Sequence, residues 1–388
     1  MRISVLGTGY LGATHAGCLA ACGHSVVGVD TSAERIALLA SGRAPFHEPG
    51  LDDLLGAGVS EGRLTFSTEY AAARDCDVHF LCVGTPQTPG RYAADLSALR
   101  AAVASLGPLL ERPCLVVGKS TVPVGTAATV RDELRTLAPA GSSVDVAWNP
   151  EFLREGHAVE DSLRPDRLVF GAETHEADSL LRDVYAPLLA AGVPTVHTDL
   201  ATAELAKVSA NAMLATRISL VNLLAEVCEA ADADVADLTT ILGLDDRIGS
   251  LFLTPGVGYG GGCLPKDTRA FIARAQDLGL SEPAGLLREV DAVNMRQRAR
   301  TVDLTLALLG GTAAGRTVGV LGAAFKAGSD DVRDSPALDV AATLFAFGAD
   351  VRVYDPMAAA NARAVHPELT YSPTAEAACS DAHVVLVL

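Results

Sequence analysis

The opening stretch "RISVLGTGYLGATHAGCLAACGHSVVGVD" constrains the fold more than any other part of the chain. A short apolar run, a glycine turn, an Ala-rich segment and a second apolar run ending in Asp30 read as strand, turn, helix and strand. Gly7, Gly9 and Gly12 fit G-x-G-x-x-G. The first makes the tight turn, the second lets backbone approach a pyrophosphate, and the third lets the helix pack on the strand. The phosphates then sit where free N–H groups leave the helix N-terminus. Asp30 lies eighteen residues beyond Gly12, where a carboxylate accepts the ribose 2′-hydroxyl and repels a 2′-phosphate. The expectation is an NAD site. Arg35 either stacks on the adenine or is solvated.

The chain has 388 residues, which favours two or three domains over a single core. Hydrophobic residues make up 49% and aromatics 5%, which suits helices packed on parallel strands, an α/β composition. A formal net charge of −17 excludes nucleic acid and anionic membranes as partners, since both need a basic face. The eight cysteines are scattered through apolar runs without CxxC pairs, so reduced core residues and no metal centre are expected. No charged leader precedes "MRISVLGTG" and no run of eighteen uncharged apolar residues occurs, which points to a soluble cytoplasmic protein.

Further strands are expected at "DVHFLCVGTP", "CLVVGKSTVPVGT" and "VDVAWNPEFLREG". Their ends, Thr85-Pro86, Ser120-Thr121 and Asn149-Pro150-Glu151, should surround the ligands, which bind beyond the carboxyl ends of strands in open α/β sheets. From Asp199, a plausible N-cap, the pattern becomes one long helix. Leu205, Val208, Ala212, Ala215, Ser219 and Asn222 share a small-residue face, and Lys207 and Asn211 lie one turn apart, either in a cleft or on a solvated side. "RTVGVLGAAFKAGSDDVRDSPALDVAATLFAFGADVRVYDP" then repeats strand, loop, helix and strand, ending in Asp355 without the glycine fingerprint. A second nucleotide-binding-like domain for something other than a dinucleotide is expected. The closing "DAHVVLVL" reads as a strand with no helix after it, so this domain is expected to be truncated at its C-terminal end.

"GYGGGCLPKD", Gly258 to Asp267, puts four glycines before Cys263 and a lysine and an aspartate after it. Glycine costs roughly 0.5–1 kcal/mol where regular structure is wanted, so the run marks close approach of backbone to something. Cys263 is either a small buried hydrophobe or an accessible thiolate in a polar setting. Beside NAD, a thiolate has a chemical use: it attacks an aldehyde, and the thiohemiacetal gives up hydride to become a hydrolysable thioester.

With "GTGYLG", "EPGL", "GTP", "KSTVPVGT", "NPEFLREG", "AELAKVSANAMLATRIS", "DRIGSLFL", "GYGGGCLPKD" and "FKAGSDDVRDSP" in this order, the chain resembles the UDP-glucose/GDP-mannose dehydrogenases along essentially its whole length. The resemblance implies oxidation of the C6 alcohol of a nucleotide sugar to a carboxylate with two NAD⁺, and the UDP-glucose branch in particular. It implies three parts: an NAD-binding Rossmann-like domain at 1–198, a central helical dimerisation domain with the cysteine loop at 199–300, and a Rossmann-like UDP-sugar domain at 301–388. Cys263 is the implied nucleophile. Lys207 and Asn211 would stabilise the oxyanion, Asp267 and Thr121 would position water and the lysine, and Glu151 would serve as acid/base. Implied cofactor contacts are Gly7, Gly9, Tyr10, Leu11, Gly12, Asp30, Arg35, Thr85, Thr121, Glu155 and Arg333. Implied substrate contacts are Glu151, Phe152, Leu153, Arg154, Glu155, Lys207, Asn211, Tyr259, Gly260, Phe325 and Lys326, with Arg247 reaching into the partner's site of a homodimer or larger homo-oligomer. Relatives often carry Asn-Glu where this chain has Asn222-Leu223. The competing readings are the same chemistry on GDP-mannose or a UDP-N-acetylhexosamine, a two-electron 3-hydroxyacid dehydrogenase, and a non-catalytic nucleotide-sugar sensor.

Overall fold

A computed structural model describes residues 1–388. By Cα proximity the chain divides into two compact units, Met1–Ser209 and Ala210–Leu388.

The first unit is built on eight strands: β1 (Arg2–Leu6), β2 (Ser25–Val29), β3 (Leu64–Ser67), β4 (Val78–Leu81), β5 (Cys114–Gly118), β6 (Val144–Trp148), β7 (Leu168–Ala172) and β8 (Thr195–Thr198). Their spatial order is β3-β2-β1-β4-β5-β6-β7-β8, parallel except for the β6–β7 pair. β4 and β5 are buried at every residue, as expected of central parallel strands covered on both faces. Alternation sends Ile3, Val5, Phe80, Leu115 and Val117 into one core and Leu6, Leu81, Val116 and Trp148 into the other. Each such aliphatic side chain contributes about 1.5–3 kcal/mol by leaving water. The helix after β1 (Tyr10–Ala21) is buried at each position from Gly12 to Ala20, which its small residues permit. The strand order reverses between β1 and β4, where doubly wound sheets open a crevice.

The second unit has a smaller parallel sheet of β9 (Thr317–Leu321), β10 (Asp350–Tyr354), β11 (Thr370–Tyr371) and β12 (Val384–Val387), ordered β11-β10-β9-β12. Val318, Val320, Leu338, Ala341, Leu344, Val351 and Val353 form its core. β12 is an edge strand, and Val387 is 80% exposed. The unit also holds the helices Leu264–Asp277 and Gly285–Leu308.

The division between units falls within the long helix Leu200–Ala231. Asp199 caps it as expected, accepting from the Thr202 N–H at 2.8 Å. Its small-residue face is buried at Val208, Ala212, Ala215, Ser219 and Asn222, while Leu205 is half-buried. Its length and apolarity would suffice to cross a membrane, but one face is packed within the protein: Ala215 packs with Tyr259 and Val290, and Ser219 donates to the Val290 carbonyl at 2.8 Å.

Candidate active site

Gly7 turns the chain in the left-handed region (φ +86°), and its N–H donates to the Val29 carbonyl at 2.8 Å. A Cβ on Gly12 would lie 1.8 Å from the Gly7 carbonyl oxygen, so the helix can approach the turn only through glycine. Nothing lies within 4 Å of a Cβ at Gly9, and no side chain caps the helix there, so its first N–H groups are left for a ligand. Asp30 Oδ2 accepts from Thr8 N at 2.8 Å, and Oδ1 from Ser32 N at 3.0 Å. Burial pushes its carboxyl up, but these N–H groups and Arg35 outweigh that and hold it below the usual range. An ionised carboxylate at this strand end and an uncapped helix behind a glycine turn fit NAD. Arg35 pairs its guanidinium with Asp30 at 2.9 Å, and its side chain is 39% exposed.

The loops after β4, β5 and β6 gather in the same unit. Thr85 Oγ1 donates to the Thr121 carbonyl at 2.7 Å, joining two of them. Glu151 is buried and paired to Lys207 at 2.9 Å, and it accepts from Leu153 N at 2.7 Å. Burial pushes the Glu151 carboxyl up; Lys207, the Leu153 N–H and Lys119 together hold it below the ordinary value, so it rests as a base. Phe152 takes the Arg167 guanidinium over its ring at 3.8 Å. Arg154 is exposed and forked onto Asp161, in the short helix that follows its loop, at 2.6 and 3.0 Å, so its charge is already matched. Tyr10 donates its hydroxyl to Glu48 and accepts from Gly156 N at 2.9 Å. Burial, then Glu48, keeps that hydroxyl protonated, while Glu155 lies within electrostatic reach of it. Leu11 packs on the core beneath.

Cys263 begins the second group. It is exposed and N-caps the helix Leu264–Asp277, whose first-turn N–H groups favour negative charge. Cys18, Cys82, Cys76 and Cys114 are buried, and burial pushes the first two up to about 12 and the last two up to about 11. One turn on, Asp267 is 1% exposed and receives the Asn211 amide at 2.7 Å and the Lys266 ammonium. The glycines before Cys263 mark close approach, as expected. Cβ atoms at Gly258, Gly260, Gly261 and Gly262 would lie 2.5 Å from Asn294 Oδ1, 2.3 Å from the Asp334 carbonyl oxygen, 2.7 Å from the Phe325 ring and 2.4 Å from the Arg333 guanidinium. The backbone approaches its own protein.

Tyr259 and Gly260, both expected to contact the substrate, are held firmly by the protein around them. Tyr259 is 5% exposed in an apolar cluster, its backbone clamped by Asn294 through bonds of 2.7 and 3.0 Å, and Gly260 is pressed on Asp334. Arg333 is forked onto Asp331 over Gly262, and Lys326 lies 5.6 Å from the Phe325 ring centre. Arg247 is 89% exposed at its side chain and paired with Asp245. Asn222 accepts from Gly256 N at 2.8 Å and so holds the start of the glycine loop.

Three residues lay inside quoted motifs but were given no role in the sequence reading. Glu48 accepts from Gly156, Ala158 and Val159 N–H groups and fixes the turn after "EFLREG". Glu204 caps the helix Thr126–Leu137 through Gly125 N at 2.7 Å and Ala127 N at 2.6 Å. Both bond backbone far along the chain, which no local pattern records. Lys119 is buried, donates to Asn149 Oδ1 at 2.8 Å, and is pulled down to about 8 by burial. A lysine closing the apolar run "CLVVGK" was its visible signal.

The domain profiles of one family match in series: the NAD binding domain of the UDP-glucose/GDP-mannose dehydrogenase family over residues 1–189, its central domain over 201–296, and its UDP binding domain over 319–388. The chain belongs to this family. NAD is its cofactor. Among relatives, it is 43% identical to the UDP-glucose 6-dehydrogenase AglM of Haloferax volcanii, covering all of this chain and 90% of that one. It is 40% identical to the UDP-glucose 6-dehydrogenase TuaD of Bacillus subtilis, over 100% and 83%. The solved UDP-glucose dehydrogenase of Pyrobaculum islandicum superposes with a TM-score of 0.95 at 40% identity, covering 100% of this chain and 89% of that one. The family membership argues against the 3-hydroxyacid dehydrogenase alternative, which would leave the UDP binding domain without a use.

Proposed function

We propose that the protein oxidises UDP-glucose to UDP-glucuronate, with Cys263 forming first a thiohemiacetal and then a thioester. The exposed thiol at a helix N-terminus, in a family whose domains bind NAD and UDP, carries the reading. NAD⁺ when bound accepts a hydride in each of the two oxidations. Cys263 Sγ adds to the aldehyde carbon, and the oxygen takes up the proton to give the thiohemiacetal. Loss of hydride and the hydroxyl proton leaves the thioester, and water then adds and expels the thiolate as carboxylate forms. Lys207 and Asn211 steady the developing oxyanion as donors. Glu151, held ionised by Lys207, takes the proton from the attacking water. Asp267 orients Asn211, and Thr121, tied to Thr85, holds the β5 end where water and lysine must be placed. Phe152 to Glu155, Phe325 and Lys326 hold the sugar nucleotide, and Arg333 covers the cysteine loop. The parts run 1–198 for NAD, 199–300 for the central domain and 301–388 for the sugar nucleotide.

A homodimer or larger homo-oligomer completes this reading. Met213, Leu220 and Val227 repeat every seventh residue along the long helix and are 65, 53 and 55% exposed; Leu223 lies between them at 40%, and Arg247 projects nearby in sequence for the partner's site. Eight cysteines with no disulfide among them suit a reducing cytoplasm.

The test is NADH released per limiting UDP-glucose, with GDP-mannose and UDP-N-acetylglucosamine in parallel and Cys263→Ser alongside. Two NADH per UDP-glucose, little from the others, and a fall of about 10³-fold or more in Cys263→Ser with NAD binding intact are expected. One NADH, or undiminished carboxylate from the serine variant, would remove the thioester route.

A further inference from the structure

Asp334 stands outside every role assigned above, yet three parts of the second unit converge on it. It lies in the loop between β9 and the helix Pro336–Ala346, in the left-handed region (φ +47°) that a residue other than glycine rarely occupies. Two arginines meet its carboxylate. Arg298, from the helix Gly285–Leu308, is 6% exposed and donates to Oδ1 at 2.7 Å. Arg269, from the helix that Cys263 begins, is 17% exposed and lies 3.6 Å from Oδ2. Arg298 also reaches Asp339 at 3.3 Å, and Arg269 holds Asp291 at 3.1 Å.

The same residue faces the glycine loop with its backbone. Its carbonyl oxygen occupies the place a Cβ on Gly260 would need, 2.3 Å away. Arg298 Nη2 donates at 3.3 Å both to that carbonyl and to the carbonyl of Tyr259. The preceding carbonyl, of Arg333, accepts from Gly261 N at 2.9 Å. Ser335, the next residue, ties the loop to β9's end through Ala323 O at 2.8 Å and caps the following helix. The left-handed φ is what lets one residue turn its carboxylate to two helices and its carbonyl to the glycines.

We propose that Asp334 is a positioning residue of the dehydrogenase: clamped by Arg298 and Arg269, it fixes the loop that carries Phe325 and Lys326 in register with the loop and helix that present Cys263. The proposal rests on Cys263 being the nucleophile. Arg298 and Arg269 are largely buried while the Asp334 side chain is 28% exposed, and ion pairs at such half-exposed sites are a poor source of stability. Geometry is what the network delivers, and a misplacement of about 1 Å at a reacting group costs on the order of 100-fold in rate.

The experiment compares Asp334→Asn with wild type and with Asp339→Asn, which also loses a contact to Arg298 but leaves the glycine loop untouched. Hydrogen exchange of the Gly258–Cys263 amides, measured without substrate, should speed about tenfold in Asp334→Asn and stay at wild-type level in Asp339→Asn. With UDP-glucose, kcat should fall about 10–100-fold while KM for NAD⁺ moves less than about twofold. The double variant Asp334→Asn/Arg298→Met, which restores charge balance, should regain Tm but not kcat. Unchanged exchange in folded Asp334→Asn, or recovery of kcat together with Tm in the double variant, overturns the clamp. Should Asp334→Asn not fold, Arg298→Lys is read by the same exchange and kcat criteria. Exchange reports on the clamp without turnover, so inactivity of the wild type on UDP-glucose would sink the substrate reading and leave this test standing.

Discussion

The turns after β1 and after β9 begin in the same way and are put to different uses. Gly7 and Gly322 are both left-handed, at φ +86° and +113°, and each donates its N–H to the last carbonyl of the neighbouring strand, Val29 at 2.8 Å and Tyr354 at 2.9 Å. An aspartate follows that strand in each case. After Gly7 the helix begins at Tyr10, so its N-terminus opens at the turn; after Gly322 it does not begin until Pro336. The intervening loop is the one that Asp334 anchors. Asp355 is accordingly closed by backbone, accepting from Ala323, Ala324, Met357 and Ala358 at 2.8–3.1 Å. Asp30 takes N–H groups from Thr8 and Ser32 and a side chain, Arg35, that can move aside. The scaffold therefore does not specify a dinucleotide. The distance from turn to helix does, together with what the aspartate has left to give.

Gly12→Ala should break the comparison most severely. The new methyl would meet the Gly7 carbonyl at 1.8 Å, against backbone that cannot swing away. Overpacking of this kind costs about 1–3 kcal/mol, up to roughly a hundredfold in affinity when it falls on a binding turn. Titration of NAD⁺ by fluorescence or calorimetry should show that loss, with UDP binding, to which the UDP binding domain at 319–388 contributes, changed far less. Equal weakening of both would mean that the turn serves general folding rather than the cofactor.

What the sequence disclosed and what it hid divides along the same line. The Gly7 turn, Asp30 and the strand-end loops were legible because each is set by neighbours a few residues away. The small-residue face of the long helix was legible for the same reason, and apart from half-buried Leu205 it is buried. The pairing of Arg35 with Asp30 was not read, because Asp30 had already been assigned to the cofactor. The glycines before Cys263 announced close approach correctly, but their partners, Asn294, Asp334, Phe325 and Arg333, come from more than 30 residues away in the chain. Glu48 and Glu204 were hidden for the same physical reason: a carboxylate that satisfies distant backbone N–H groups looks in sequence like any surface acid.

Asp355→Asn sharpens the comparison next. Burial pushes the Asp355 carboxyl up, but its four N–H partners outweigh that and hold it below the ordinary carboxylate value. An amide cannot face four donors without turning its own NH₂ on some of them, so a loss of about 2–3 kcal/mol in stability is expected, read as a drop in Tm. The sign with pH follows from the depressed folded-state value: the carboxylate's contribution is full above the unfolded value near 4 and is lost as pH falls through the folded one. The gap between wild type and Asp355→Asn should therefore be constant at neutral pH and close in acid. Cofactor preference should not move. A shift in NAD against NADP use in this variant would show that the second aspartate also communicates with a dinucleotide.

Asp30→Asn is the mildest change and the one that most directly tests what an open aspartate is for. Its carboxylate does two things at once in this turn: it presents negative charge where a 2′-phosphate would sit, and it occupies the Arg35 guanidinium at 2.9 Å. Neutralising it removes the repulsion and releases an arginine that suits a 2′-phosphate. The ratio of kcat/KM for NAD⁺ over that for NADP⁺ should fall about tenfold, equivalent to roughly 1.4 kcal/mol, with Tm changed far less than in Asp355→Asn. If the ratio holds while Tm falls as far as in Asp355→Asn, the two aspartates are alike after all, and the preference for NAD must arise from the helix N-terminus and the glycine turn alone.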